Sequence, residues 1–186
     1  MDLVTWKPRD LADAATFNSR VRDAYRVLSN PLRMSATGLN KISKIPDSDT
    51  YTSLKWDEVH TWGEWKSSDA QSFSVPVSGY YAITADVTAL SPKDAGAKPA
   101  MRVLCLNIGP DQEYEWIRAD CATMVPGTYV TCSLRGIGYA DKGNRISLRA
   151  AVPVGAGAWE VSPPTRPSTQ LNRFAAVLIA PGATHA

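Results

Sequence analysis

Asp57 and Glu58 are the side chains nearest in kind to a catalytic couple: two carboxylates lying between Trp56 and Trp62, the pairing a glycoside hydrolase uses. Such a couple must flank one bond, yet neighbouring residues on a strand point to opposite faces. A second acidic set, Asp111, Glu113 and Glu115, alternates across a loop-to-strand junction and has the oxygens that calcium takes. A solvated strand edge accounts for that set more simply. The two histidines, His60 and His185, lie far apart, and no zinc-protease motif, C-x-x-C pair, phosphate loop or nucleophile elbow occurs. Gly136 and Gly138 read as a bulge or turn in a strand, without the helix that follows a nucleotide fingerprint. A non-enzyme is expected, with no catalytic residue, cofactor or metal site.

Recognition is harder to dismiss. Trp56, Trp62, Trp65, Trp116 and Trp159 lie in the body of the chain, and an exposed tryptophan is a stacking platform for sugars. Trp159 and Arg166 mark the candidate ligand loop. The glycine-rich run before Trp159 reads as flexible and the proline-rich run around Arg166 as stiff, and loops on a rigid scaffold carry recognition residues. The competing expectation is that the tryptophans fill a sandwich core. Cys105, Cys121 and Cys132 are odd in number and sit in strand-like runs, which predicts small buried hydrophobes. One disulfide, Cys121 to Cys132, stays open as the alternative.

Composition limits what can position these residues. Hydrophobic residues make up 44% of 186, enough for one domain's core plus an appendage. The 20 basic and 18 acidic side chains are dispersed, with a net charge of +2, so no basic stripe points to nucleic acid. No apolar run approaches the roughly 20 residues that span a bilayer. Asp2, Lys7, Arg9 and Asp10 interrupt what would be a signal peptide. Synthesis and assembly in a cytoplasm are expected, without membrane insertion.

The first 30 residues have a helical texture. Asp13 can cap a first turn, and Ala14, Phe17, Val21, Ala24 and Leu28 then follow at alternating steps of three and four, one narrow stripe on a helix. Asn30 before Pro31 stops it. Two heptads are too short for a stable isolated coiled coil, so the stripe must bury against sister helices, the body or a larger assembly. Ahead of it, Trp6 and Pro8 look like a docking peptide.

Thr5, Trp6, Lys7, Pro8 and Arg9, then Ala14 to Asn18, the Arg22–Asp23 pair and Leu28, resemble the leader of minor tail proteins and virion fibres in tailed phages of actinobacteria. The usual glycine-containing spacer is shortened here to Asp10, Leu11, Ala12 and Asp13. The resemblance implies that Trp6, Pro8, Phe17, Asn18, Val21, Ala24 and Leu28 anchor the chain to a virion.

Beyond the leader, short alternating runs separated by turn residues predict a β-sandwich or barrel. Strands are expected at 51–56, at 62–65 after a polar turn, at 71–77, from Tyr81 to Val87, and at 101–108, 114–119, 128–138, 145–152 and 174–179. Three stretches resemble the trimeric jelly roll of C1q heads and tumour necrosis factor: Phe73 to Tyr81, Asp141 to Leu148, and Asn172 to Ile179. That resemblance implies a homotrimer with Tyr80, Tyr81, Tyr129 and Phe174 as candidate interface residues. The expected organisation is mostly β: a helical anchor at 1–36, a linker at 37–50, a C1q/TNF-like jelly-roll head at 51–182 and a flexible tail at 183–186. The expected function is a non-enzymatic virion protein, a minor tail protein or fibre that displays its head outward toward the host. Its expected partners are itself and other tail or capsid proteins. The alternatives are a capsid fibre or decoration protein, or an adhesin for host cell-surface glycan.

Overall fold

Period-two alternation builds the centre of the molecule. In Gly79–Leu90 (β6) it sends Tyr81, Ile83, Ala85, Val87 and Ala89 to the core and Tyr80, Ala82 and Thr84 to the other side. β6 lies between Tyr129–Ala140 (β9), paired along its whole length, and Arg173–Pro181 (β12). Arg33–Thr37 (β1) adds to β12, and Glu58–Trp62 (β4) adds to β1. Lys44–Ile45 (β2) and Trp159–Glu160 (β11) extend the far end of β6, completing a seven-stranded sheet. The facing sheet has five strands: Thr52–Ser53 (β3), Ser72–Ser74 (β5), Ala100–Ile108 (β7), Glu113–Ala122 (β8) and Arg145–Ala151 (β10). Every strand pairing is antiparallel. This computed structural model describes residues 31–39, 44–67, 69–93, 100–123, 125–161 and 172–182, together with Asn18 and Arg22, which are helical and exposed. Trp6, Pro8, Phe17, Val21, Ala24, Leu28 and Arg166 lie outside the described residues.

Aromatic rings hold the two sheets together. Phe174 stacks on Trp56 with centroids 6.0 Å apart and meets Phe73 edge-on at 5.7 Å. Trp65 meets Tyr81 edge-on at 5.5 Å. Burial pushes the Tyr81 phenol up to about 12, and its hydroxyl donates to the Val77 carbonyl. Cys105 and Cys132 are core residues, Cys121 packs beside them, and all three are free thiols. The Cys121 thiol donates to the Met101 carbonyl at 3.5 Å and the Cys132 thiol to the Ala119 carbonyl at 3.3 Å.

The structure corrects several expectations. β1 and β2 fall within the segments read as anchor and linker, because Met34, Ala36 and Ile45 are fully sequestered core residues. The sandwich therefore reaches back at least to Arg33. β4 occupies the stretch read as a polar turn, and Gly63, just past it, takes φ 82°. Gly136 and Gly138 make neither bulge nor turn, since β9 pairs with β6 in unbroken register. They are clearances: a Cβ on Gly138 would lie 2.6 Å from the Trp116 ring, and one on Gly136 would lie 2.6 Å from Ile117 Cδ1. Gly138→Val is expected to lower stability by about 1–3 kcal/mol through overpacking against Trp116. Chemical denaturation measures this, and paired truncation of Trp116 to Ala should recover part of the loss.

Trp159 is also corrected. It is 0% exposed, paired with Ile45, and belongs to the core. The loop before it is clamped by Asp47, whose Oδ1 accepts the Gly155 N–H at 2.8 Å and whose Oδ2 accepts the Gly157 N–H at 3.0 Å. A carboxylate binding two amides of a glycine turn fixes the turn and drives the following indole inward. Trp56 and Trp65 are buried as well, while Trp62 and Trp116 are half-buried. Trp56, Trp65 and Trp159 therefore offer no stacking face.

Candidate functional site

The two sheets present opposite kinds of outer face. On the five-stranded sheet the outward side chains are buried Leu104, Leu106 and Ser147 with charged pairs around them. Arg149 donates to both oxygens of Glu113 at 2.6 and 3.0 Å, Arg102 donates to Asp120 at 2.8 Å, and Arg118 lies 3.5 Å from Asp120 and 3.9 Å from Glu115. Glu113 and Glu115, the proposed calcium oxygens, are thus occupied by arginines. An ion-paired lattice of this kind faces water.

The outer face of the seven-stranded sheet gathers its charges, Asp86, Arg135, Arg173 and Glu58, toward one end, with Arg33 the charge at the other. Register places its residues in rows across the strands. Tyr80 lies beside Tyr139, with rings 5.3 Å apart and edge-on. The next row runs Ile137, Ala82, Val177, Arg33 and Trp62. The Arg33 guanidinium sits 4.3 Å over the Trp62 ring, its charge held against an aromatic face. The third row runs Arg135, Thr84, Ala175, Ser35 and His60. Ile137 is 64% exposed, Tyr80 49% and Ile179, in a bulge of β12, 48%. Large branched and aromatic side chains stand at one end of this face and small ones in its middle, with no covering element among the described residues.

A buried carboxylate held by two exposed arginines closes the far side of that face. The Asp86 carboxylate accepts the Ser133 hydroxyl at 2.6 Å, Arg135 at 3.0 Å and Arg173 Nε at 2.5 Å. Burial works to raise this carboxyl, but the hydrogen bonds from Ser133, Arg173 and Arg135 together outweigh it and hold the group below its ordinary 3.8. A carboxyl lowered by folding stabilises the protein above its unfolded value, and that contribution fades as pH falls through the folded one. Asp86→Asn is therefore expected to melt below wild type at neutral pH, with the gap narrowing as pH drops under about 4. Thermal melts across pH 2–7 on both proteins check this, and a gap independent of pH would contradict it.

The four expected interface residues divide. Tyr80 and Tyr129 are exposed on the face but stand at its opposite ends, about 34 Å apart at 3.4 Å per residue along β9. Tyr81 and Phe174 are corrected: both are 0% exposed and point into their own sandwich. The alternation that carries Tyr80 outward necessarily carries Tyr81 inward, and Phe174 is enclosed by Trp56 and Phe73. Ile137, Val177 and Ile179 are the face residues that inspection of aromatic positions missed. The alternation of β9 was the available signal for Ile137.

No family model and no curated protein matches the chain in sequence. In structure it is similar to murine APRIL, at 15% identity and a TM-score of 0.56, over 80% of this chain and 98% of that one. It is also similar to Eiger TNF from S. frugiperda, at 9% identity and a TM-score of 0.60, over 84% of this chain and 98% of that one. These likenesses show the fold, a TNF-like jelly roll.

Proposed function

We propose that this chain is a non-enzymatic structural protein of a phage virion, a minor tail protein or fibre whose jelly-roll head is a homotrimer. The observation that carries the trimer is the contrast between the two outer faces. One is sealed by ion pairs; the other exposes Ile137, Tyr80 and Ile179 on a fold for which three-fold packing is expected. The phage assignment rests on the leader pattern from Thr5 to Leu28. Three copies meeting at the larger sheet would bring three leaders together and multiply their hold on a three- or six-fold attachment site. The protein assembles in the host cytoplasm, ends in the virion, and turns the pole opposite the leader toward the cell surface.

The leader can be removed without cutting into the sandwich, provided the cut precedes Leu32, whose carbonyl accepts the Leu178 N–H at 2.9 Å. Deletion of residues 1–30 is expected to leave a folded trimer that is absent from purified particles. Gold labelling of particles with antibody against the body locates the full-length protein. Label on the tail supports the minor tail reading, label over the head moves the protein to capsid decoration, and particles without label overturn both.

A further inference from the structure

At the pole where β1 begins and β12 ends, three turns border an open cleft of about 520 Å³, the size of a small-ligand pocket. Gly63 to Lys66 follow β4, Ser74 to Pro76 close β5, and Lys142 with Gly143 joins β9 to β10. Hydrogen bonds fix the turns to one another. Ser74 N donates to the Lys66 carbonyl at 2.8 Å, Val75 N to that of Asn144 at 2.8 Å, and Gly143 N to that of Val75 at 2.9 Å. The Lys142 N–H is held by Ser78 Oγ at 2.9 Å. The cavity is therefore preformed.

Its chemistry is divided between floor and rim. Trp65, Val75 and Pro76 form a buried apolar floor, and the Trp65 indole N–H has no acceptor among the described residues. Glu64, Lys66 and Lys142 stand exposed on the rim. Among the described residues none of these three makes an ion pair, whereas Asp86, Glu113 and Asp120 are all matched with arginines. Two unpaired ammonium groups beside one carboxylate leave the rim a net cation.

We propose that this cavity binds a sugar acid. Lys66 and Lys142 take the carboxylate, Glu64 and Ser74 take ring hydroxyls, and the apolar floor takes the carbon face of the ring. A bare anion would leave the floor unused, and a neutral sugar would leave the lysines unused. The cavity sits at the leader pole, away from the outward pole, and the inference depends on neither the virion assignment nor the trimer.

The test is calorimetric titration of the full chain with D-glucuronate, D-glucose and inorganic phosphate, joined to saturation-transfer NMR on the sugars. Glucuronate is expected to bind with a Kd of about 1 mM, and glucose and phosphate about tenfold more weakly. The paired substitution K66Q/K142Q is expected to cost glucuronate about tenfold and to abolish the salt dependence of its binding. Both lysines are exposed, so an unchanged thermal melt certifies the fold of the variant. The proposal falls if glucuronate does not bind, if glucose or phosphate binds as well as glucuronate, or if K66Q/K142Q binds like wild type.

Discussion

Ile137→Asp is expected to convert the proposed trimer into single chains in analytical ultracentrifugation at micromolar concentration, while the monomer keeps the strand spectrum of wild type. Ile137 is 64% exposed in one chain, so a carboxylate there costs the isolated sandwich little. In the proposed trimer the same carboxylate would be buried against a second copy, with Arg135 already engaged by Asp86. Burial of an unpaired charge is penalised by several kcal/mol in each of three contacts. The companion substitution Arg118→Asp, on the ion-paired face, is expected to leave the trimer intact. If both variants stay trimeric, the larger sheet is not the contact surface; if the wild type is itself monomeric, that face has no occupant of its own kind.

Trp159→Ala removes the second large effect. The indole is fully enclosed and its N–H has no hydrogen-bond partner, so truncation deletes packing and leaves no newly unsatisfied polar group. A loss of about 3–5 kcal/mol in unfolding free energy is expected, with Trp159→Phe losing much less because a ring still fills the space. Denaturant titration followed by far-ultraviolet circular dichroism measures both. A cost under about 1 kcal/mol for the alanine variant would mean that the indole lies outside the core. Asp47→Ala, which frees the two amides of the glycine turn, should reproduce a fraction of the tryptophan effect by releasing the loop that seats it.

The long strands were legible because their signal is local. Tyr81, Ile83, Ala85 and Val87 alternate within β6 itself, and Phe174, Ala176 and Leu178 do so within β12. β1 was not, since Met34 and Ala36 are its only apolar residues and its place comes from pairing with β12 on one side and β4 on the other. β4 reads Glu58, Val59, His60, Thr61 and Trp62, an edge strand whose polarity resembles a turn. The phase of Tyr80 against Tyr81 was written in the sequence. What it lacked was the knowledge that aromatic residues inside a core and at a seam look alike one position at a time. Trp159 failed for a different reason: its loop is fixed by Asp47, more than a hundred residues earlier, and no local window contains both. The rim lysines of the cavity come from turns after β4 and β9 and meet only through the fold.

The body admits its chain beside Leu178 and releases it at Gly182, whose N–H donates to the Ser78 carbonyl at 2.8 Å. Entry and exit therefore share one pole, and β6, β8 and β11 end, and β7, β9 and β12 begin, toward the other. A peptide grafted between Thr123 and Thr128 would be held at the pole away from Leu32 and Gly182 and, in the proposed trimer, presented three times on one platform. A millimolar recognition element placed there would gain from repeated engagement, the arithmetic of a tethered multivalent display, without any change to the scaffold's own contacts.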